Sequence, residues 1–381
     1  MNILLTALQP SGGIRTYFRY IYGDQCFENY RFTLVAPDDG LSNFLGRVLP
    51  KERLLVEPAK AGKIAYVRQM RSLICSGNYD LVQAHGFSAG LLTAVACIGL
   101  RIPFVITTHD VFLKGRFPGF KGWLEKSLIG KLLSKASAIN PVGRDAAENL
   151  ASNYPALERK IFPVRNGIHV ESFETSNRRR LKRELELPSD AVLLGFFGRF
   201  MGQKGFSTLR DAVETCLEDS SLRGRLAVVC FGWGGFIREE QAELTQRGLT
   251  PWFHFVDHTD DMAEALRGVD IAVMPSRWEA CPLLPMEAMV SGVPVIASDC
   301  IGMKEVTEDT PALSFAVNQV DELASAIKYS VDNLQERKQR AEAFRETAAR
   351  RFDAKDTAKA LRTLFESTLR RECADSQPEG V

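Results

Sequence analysis

Short apolar runs recur along the chain, separated by segments of helical period, and this alternation predicts parallel βα units with helices on both faces. In the first half, Met1 to Ala7, Arg31 to Ala36, Leu81 to Ala84, Phe104 to Thr108, Ala138 to Pro141 and Ile161 to Val164 read as strands. The turn Asn166-Gly167 closes this series. Residues from Glu171 to Asp190 are polar and charged, including Arg178-Arg179-Arg180, and read as a linker with a short helix. A second series then offers Val192 to Phe197, Leu226 to Phe231, Trp252 to Phe255, Val269 to Met274, Val295 to Ser298 and Leu313 to Ala316 as strands. The helical patterns expected from Val320 to Arg350 and from Ala354 to Leu369 precede no strand, so they should pack outside or cross to the first domain.

A chain of 381 residues exceeds one ordinary hydrophobic core. The expected division is a Rossmann-like domain over 1–170, a linker over 171–190, a second Rossmann-like domain over 191–350, a helix over 351–371 packing on the first domain, and a disordered tail over 372–381. No basic leader or long apolar run is visible, and the eight cysteines never form C-x-x-C, which argues against a disulfide framework or a zinc site. The reading that fits is a cytoplasmic protein. Net charge is only +1, yet residues 1–170 hold 21 Lys and Arg against 12 Asp and Glu. A basic half can face an anionic membrane or an acidic substrate, or reflect ordinary surface variation; a nucleic-acid partner is not expected.

The most informative chemistry is a pair of carboxylates, Glu279 and Glu287, in the run Pro275-Ser276-Arg277-Trp278-Glu279-Ala280-Cys281-Pro282-Leu283-Leu284-Pro285-Met286-Glu287. The run joins a strand to a helix expected from about Pro285 to Ser291, so both acids sit at one strand-to-helix corner, where open α/β sheets bind ligands. Two acids there suit the hydroxyls of a polar ligand, a diol above all. Gly12 and Gly13 follow the first strand and open a helix, which lets a ligand approach backbone and free amides; a plain tight turn would use the same residues. Gly198, Arg199 and Lys204 follow the first strand of the second domain. The two cations can neutralise a pyrophosphate, or simply be solvated. His109, next to Asp110 at a strand end, reads as a site or core histidine, and His85 as a second candidate lining the site.

Taken together these residues resemble a retaining nucleotide-sugar glycosyltransferase of glycosyltransferase family 4. The resemblance rests on Gly12-Gly13, His109, Asn166-Gly167, Gly198-Arg199 with Lys204-Gly205, Glu279 with Glu287, and Gly292-Val293-Pro294-Val295-Ile296-Ala297-Ser298. It implies the GT-B fold, two Rossmann-like domains facing across a cleft, with a C-terminal helix crossing back to the first domain. It further implies that Glu287 binds the donor ribose, Glu279 touches the transferred sugar, and Arg199 and Lys204 hold the diphosphate and stabilise the leaving group. Gly12, Gly13 and His109 would act from the first domain, with His109 near the reacting centre. Val256, Asp257 and His258 are expected around the base. Family members often have a glycine-rich loop after the first glutamate, whereas this chain has Ala280-Cys281-Pro282-Leu283-Leu284, so backbone donors would come from Leu283 and Leu284.

The activity implied is hexosyl transfer with retention, from a UDP- or GDP-sugar to a carbohydrate or lipid-linked acceptor, in cell-surface polysaccharide or glycolipid synthesis. No cofactor is implied, and the absence of a D-x-D pair suggests that no metal is needed. An epimerase or phosphorylase of the same architecture, or a non-catalytic nucleotide-sugar binder, is the alternative. The segment 114–135 sets Lys114, Arg116, Lys121, Lys126, Lys131 and Lys135 against Glu125, with Phe117, Phe120, Trp123 and Leu124 interleaved. It is either a helix with lysines outside and a core face within, or a peripheral contact with the inner face of the cytoplasmic membrane.

Overall fold

Twelve strands sort into two six-stranded parallel sheets in the computed structural model, which describes residues 1–174, 177–257, 259 and 261–375. In chain order they are β1 (Asn2–Ala7), β2 (Arg31–Ala36), β3 (Leu54–Pro58), β4 (Leu81–His85), β5 (Phe104–Thr108) and β6 (Ala138–Pro141), then β7 (Val192–Phe197), β8 (Leu226–Phe231), β9 (Phe253–Val256), β10 (Ile271–Met274), β11 (Val295–Ser298) and β12 (Leu313–Phe315). The strand orders are β3-β2-β1-β4-β5-β6 and β12-β11-β10-β7-β8-β9. Each sheet therefore reverses direction once, between β1 and β4 and between β7 and β10. These are two Rossmann-like α/β units, and such reversals open a crevice at the carboxyl ends of the strands.

The central strands are apolar on both faces because helices cover both, as parallel sheets require. Leu4, Val82, Ile106 and Ile139 pack with Met70 and Leu133 in the first unit; Leu194, Val228 and Val273 pack with Leu209 and Ile327 in the second. The first unit comprises Met1–Gly167 together with the chain from Ala354, and the second runs from Ile168 to Asp353. The last helix, Ala354–Asp375, lies on the first unit, where Phe365 is fully buried and meets Phe27 with ring centroids 6.2 Å apart. Tyr30 adds a hydrogen bond to Glu366 at 3.3 Å. That helix continues through residues 372–375; the remainder of the tail expected to be disordered, 376–381, lies outside the described residues.

Three expectations about elements need correction. Ile161 to Val164 forms no ladder strand: it makes one isolated bridge to Ile139, with the Phe162 and Val164 amides bonded to Ile139 and Pro141 along the edge of β6. The strand β3 was not anticipated, because Leu55 points outward and Pro58 ends the run. The helical stretch from Val320 is two helices, Val320–Asp332 and Leu334–Phe352, broken at Asn333, whose side-chain amide donates to the Tyr329 carbonyl. Among the described residues no helix is long and apolar enough to cross a membrane.

Candidate active site

In the second unit the loops after β7 and β10 meet, because these strands are neighbours at the reversal of the sheet. Gln203 ties them together. Its carbonyl accepts the Arg277 amide at 2.7 Å and its side-chain amide donates to the Trp278 carbonyl at 2.9 Å. Gly205 allows the close approach: its φ is +66°, and a Cβ there would lie 1.9 Å from the Pro275 carbonyl oxygen. The result places Lys204 Nζ 2.6 Å from Glu279 Oε1. Ser276 Oγ donates to the same oxygen at 2.8 Å, so one carboxylate atom takes two donors while the side chain is nearly buried.

The helix Leu283–Val290 begins just beyond, with Pro282 as its N-cap residue and Pro285 in its first turn. Leu283 and Leu284 carry first-turn amides, which have no carbonyl within the helix to bond. They form the positive end of the helix dipole. Glu287 is the fifth residue of this helix and is only 6% exposed. Phe196, Lys204, Pro275, Ser276, Glu279 and Leu284 line a cavity of about 20 Å³, room for about one water. A cation, a carboxylate and a helix amino terminus thus share one corner of the fold, with Glu287 about one turn into that helix.

Other expected residues fall elsewhere. Arg199 lies toward the loop after β8, its guanidinium 5.6 Å from the Trp233 ring centroid, whereas Lys204 turns to Glu279 in the loop after β10. Gly198 turns the chain at the end of β7, its amide bonded to the Phe231 carbonyl. Val256 ends β9, two strands away from β7, and His258 lies outside the described residues. In the first unit, Gly12 caps the helix Gly13–Ile21 at φ +58°, and a Cβ on either Gly12 or Gly13 would meet nothing within 4 Å.

His109 directly follows β5, and its Nε2 lies 3.0 Å from Nδ1 of His85, the last residue of β4. Burial pushes His109 down to about 3; burial and then the neighbouring His109 push His85 well below the usual imidazole value. Burial thus favours the neutral form of both rings. Sequence reading missed Gln203, Ser276 and Trp233, although Ser276 stands in the run that carries the glutamates. It also missed Tyr22 and Gln83, which bond to one another beside His85.

The family profile described as Glycosyltransferase Family 4 matches residues 11–172, and the one described as Glycosyl transferases group 1 matches residues 191–333. The chain belongs to glycosyltransferase family 4. A D-inositol 3-phosphate glycosyltransferase of Geodermatophilus obscurus is 28% identical over 246 residues, 61% of this chain and 55% of that protein. The chain thus spans little more than half the length of that relative. A D-inositol 3-phosphate glycosyltransferase of Corynebacterium glutamicum is 26% identical over 371 residues, 92% of this chain and 85% of its own. Among solved structures, Anabaena HepE in complex with UDP-glucose aligns with a TM-score of 0.82 at 20% identity, covering 96% of this chain and all of its own. That likeness places the family 4 chain in the GT-B fold.

Proposed function

We propose that the chain transfers a hexosyl group from a nucleoside-diphosphate sugar to an acceptor hydroxyl, retaining the anomeric configuration and using no metal ion. The observation that carries this reading is the meeting of Lys204 and Glu279 at the reversal of the second sheet, beside the helix that holds Glu287. Lys204 and Arg199 are assigned to the diphosphate, with the Leu283 and Leu284 amides as further donors. Glu279 is assigned to hydroxyls of the transferred sugar and Glu287 to the ribose. Gly198 belongs to the same loop, and Val256 with His258 is assigned to the base. From the first unit, Gly12 and Gly13 are proposed to approach the diphosphate or the transferred sugar, and His109 to lie near that sugar and the acceptor.

In the step proposed, the bond from the anomeric carbon to the diphosphate oxygen breaks and the bond to the acceptor oxygen forms on the same face. The acceptor proton passes to the departing phosphate oxygen. Lys204 and Arg199 stabilise the charge that develops there, which is where binding energy lowers the barrier. These fixed cations supply the charge that a divalent ion provides in other transferases.

The donor is proposed to be a UDP- or GDP-sugar; the HepE complex supports trying UDP-glucose first. The acceptor is proposed to be a carbohydrate or lipid-linked glycan in polysaccharide or glycolipid assembly, on the cytoplasmic side of the membrane. The basic helix Gly119–Leu133 supports peripheral contact there, since Phe120 and Trp123 stack and stand 73% and 60% exposed.

The deciding experiment is calorimetric titration with UDP, GDP, ADP and TDP, with and without EDTA, on the wild type, Glu287→Ala and Arg199→Ala. Selective binding of one nucleotide, insensitive to EDTA and weakened in both variants, is expected. Failure to bind any of the four overturns the donor assignment. With the matching sugar nucleotide, NMR of the product reads retention directly. Flotation with anionic liposomes tests the helix, and absence of binding removes the membrane contact.

A further inference from the structure

A line of buried polar side chains runs through the first unit from the carboxyl end of β5 toward the interior. His109 Nε2 lies 3.0 Å from His85 Nδ1, and His85 Nε2 lies 2.7 Å from the Tyr22 hydroxyl. That hydroxyl donates to Gln83 Oε1 at 2.7 Å, and Gln83 Nε2 donates to Thr107 Oγ1 at 2.7 Å. Asn140 fixes the inner end, since its Oδ1 accepts the Val164 amide at 2.9 Å and its Nδ2 turns to Thr107 Oγ1 at 3.3 Å. Tyr22, Gln83, His85, Thr107 and Asn140 are all 2% exposed or less. The parallel register brings them together, with His85 opposite Thr107 and Thr107 opposite Asn140.

With Gln83 Oε1 facing Tyr22 and its Nε2 facing Thr107, counting protons sets the direction of this line. Tyr22 has one hydroxyl proton, which goes to Gln83, so its oxygen can only accept from His85. His85 therefore carries its proton on Nε2 and leaves Nδ1 bare. A neutral His109 must then place its own proton on Nε2 to donate to that nitrogen. What remains is His109 Nδ1, a bare lone pair. It has no partner among the described residues and is open to solvent. The edges of Tyr17 and Phe18 hold the histidines from the side: Tyr17 lies 5.2 Å from His109 and 5.6 Å from His85 by ring centroids, and Phe18 lies 4.8 Å from His85.

From this geometry we infer that Tyr22 and His85 are positioning residues that lock His109 in the Nε2–H form, so that its Nδ1 accepts a hydrogen bond from a ligand hydroxyl. The inference deepens the proposed transfer reaction and rests on it for the nature of the ligand. The lock itself needs no ligand. A histidine held in the wrong tautomer offers a donor where an acceptor is needed, as orienting partners of histidines elsewhere illustrate.

Removing either controlling group should invert the line. In Tyr22→Phe the acceptor for His85 Nε2–H disappears, so His85 shifts its proton to Nδ1, donates to His109 Nε2, and drives the His109 proton to Nδ1. In Gln83→Leu the Tyr22 proton is released and turns to His85 Nε2, with the same result by a different route. Two variants that act on opposite sides of one hydroxyl guard against a failure of one to fold.

The test is two-bond ¹⁵N–¹H correlation NMR of protein labelled in the histidine rings, at neutral pH, on the wild type and both variants, with near-ultraviolet circular dichroism as the check on folding. A bare Nδ1 on His109 in the wild type, exchanged for a bare Nε2 in the folded variants, is the expected result. A proton on His109 Nδ1 in the wild type, or an unchanged tautomer in both folded variants, overturns the lock. Addition of UDP-glucose should then move the wild-type Nδ1 resonance. If the lock holds and Nδ1 does not move, the ligand-facing role falls while the tautomer assignment stands, which separates the two ideas.

Discussion

Lys204 Nζ sits 2.6 Å from Glu279 Oε1, although the two residues are 75 positions apart and belong to loops after different strands. The pair is partly sheltered, with the glutamate side chain 10% exposed and the lysine 27%. In the proposed reaction a diphosphate would share or take over the lysine, and Glu279 would turn to the sugar hydroxyls as the cation turns to phosphate.

Lys204→Met should therefore cost stability as well as turnover. It leaves Glu279 with Ser276 and a distant Gln203 contact at 3.5 Å, and the unpaired carboxylate should destabilise the second unit by about 1–3 kcal/mol. The double variant Lys204→Met with Glu279→Gln should recover part of that loss but none of the transfer rate. Denaturant titration of the four proteins of the cycle measures the coupling. Additive effects would show that the pair contributes nothing.

Gly205→Ala tests the seam between the loops. The left-handed backbone and the clash with the Pro275 carbonyl act together, so the loops must separate. A loss of more than about 1 kcal/mol is expected, or roughly 2–4 °C in the midpoint of the transition of this unit per kcal/mol. Gly224→Ala, where a Cβ meets nothing within 4 Å, is the control and should stay near the wild type.

Asp270 should make the second unit sensitive to strong acid. It is fully buried and accepts from Lys182 at 2.8 Å, from Lys338 and from the Leu193 amide at 2.9 Å. Burial alone would raise its carboxyl, but these donors outweigh burial and hold it below the usual carboxylate value. A depressed acid contributes stability above the unfolded value of about 3.9 and loses it as pH falls toward the folded value. Asp270→Asn should thus cost about 3 kcal/mol near neutrality, with the gap to the wild type closing below about pH 4. Thermal midpoints across pH 3 to 7 supply the check, and a constant gap would refute the linkage.

The histidine pair gives the first unit a different acid limit. Both rings are held neutral, so the unfolded chain takes up protons that the folded unit refuses. For a depressed histidine, stability is present above the unfolded value of about 6.5 and is lost as pH falls below it. The first unit should weaken below about pH 6.5, well before the Asp270 effect begins. In His109→Gln this early slope should shrink, and hydrogen exchange at the β4 and β5 amides resolves it from changes in the second unit.

Much of this was legible from residues alone, because periodicity reports burial. Eleven of the twelve strands were visible as apolar runs, and the Glu279 and Glu287 corner stood out because two acids flank an otherwise apolar helix start. β3 was missed because its apolar run, Leu54-Leu55-Val56, is only three residues long before Glu57 and Pro58, and an edge strand can be this short since it buries little. Tyr22, Gln83 and Thr107 were harder still. Each is unremarkable in its own segment, and only the register of β4 on β5 and the helix from β1 brings them within bonding distance. Arg199 shows the opposite case, where a charge pattern next to Lys204 concealed that the two side chains leave the loop on different flanks.

The last helix also imposes an order on biogenesis. Phe365 completes the packing around Phe27, yet more than three hundred residues separate them in the chain. On the ribosome, which emits the chain from its amino end, the second unit has all of its residues before the first does. The earlier-made sheet must wait, with the Phe27 face uncovered, until translation has nearly finished. A chain stalled after Asp353 would hold one complete unit and one exposed apolar face, the kind of surface that chaperones and proteases recognise.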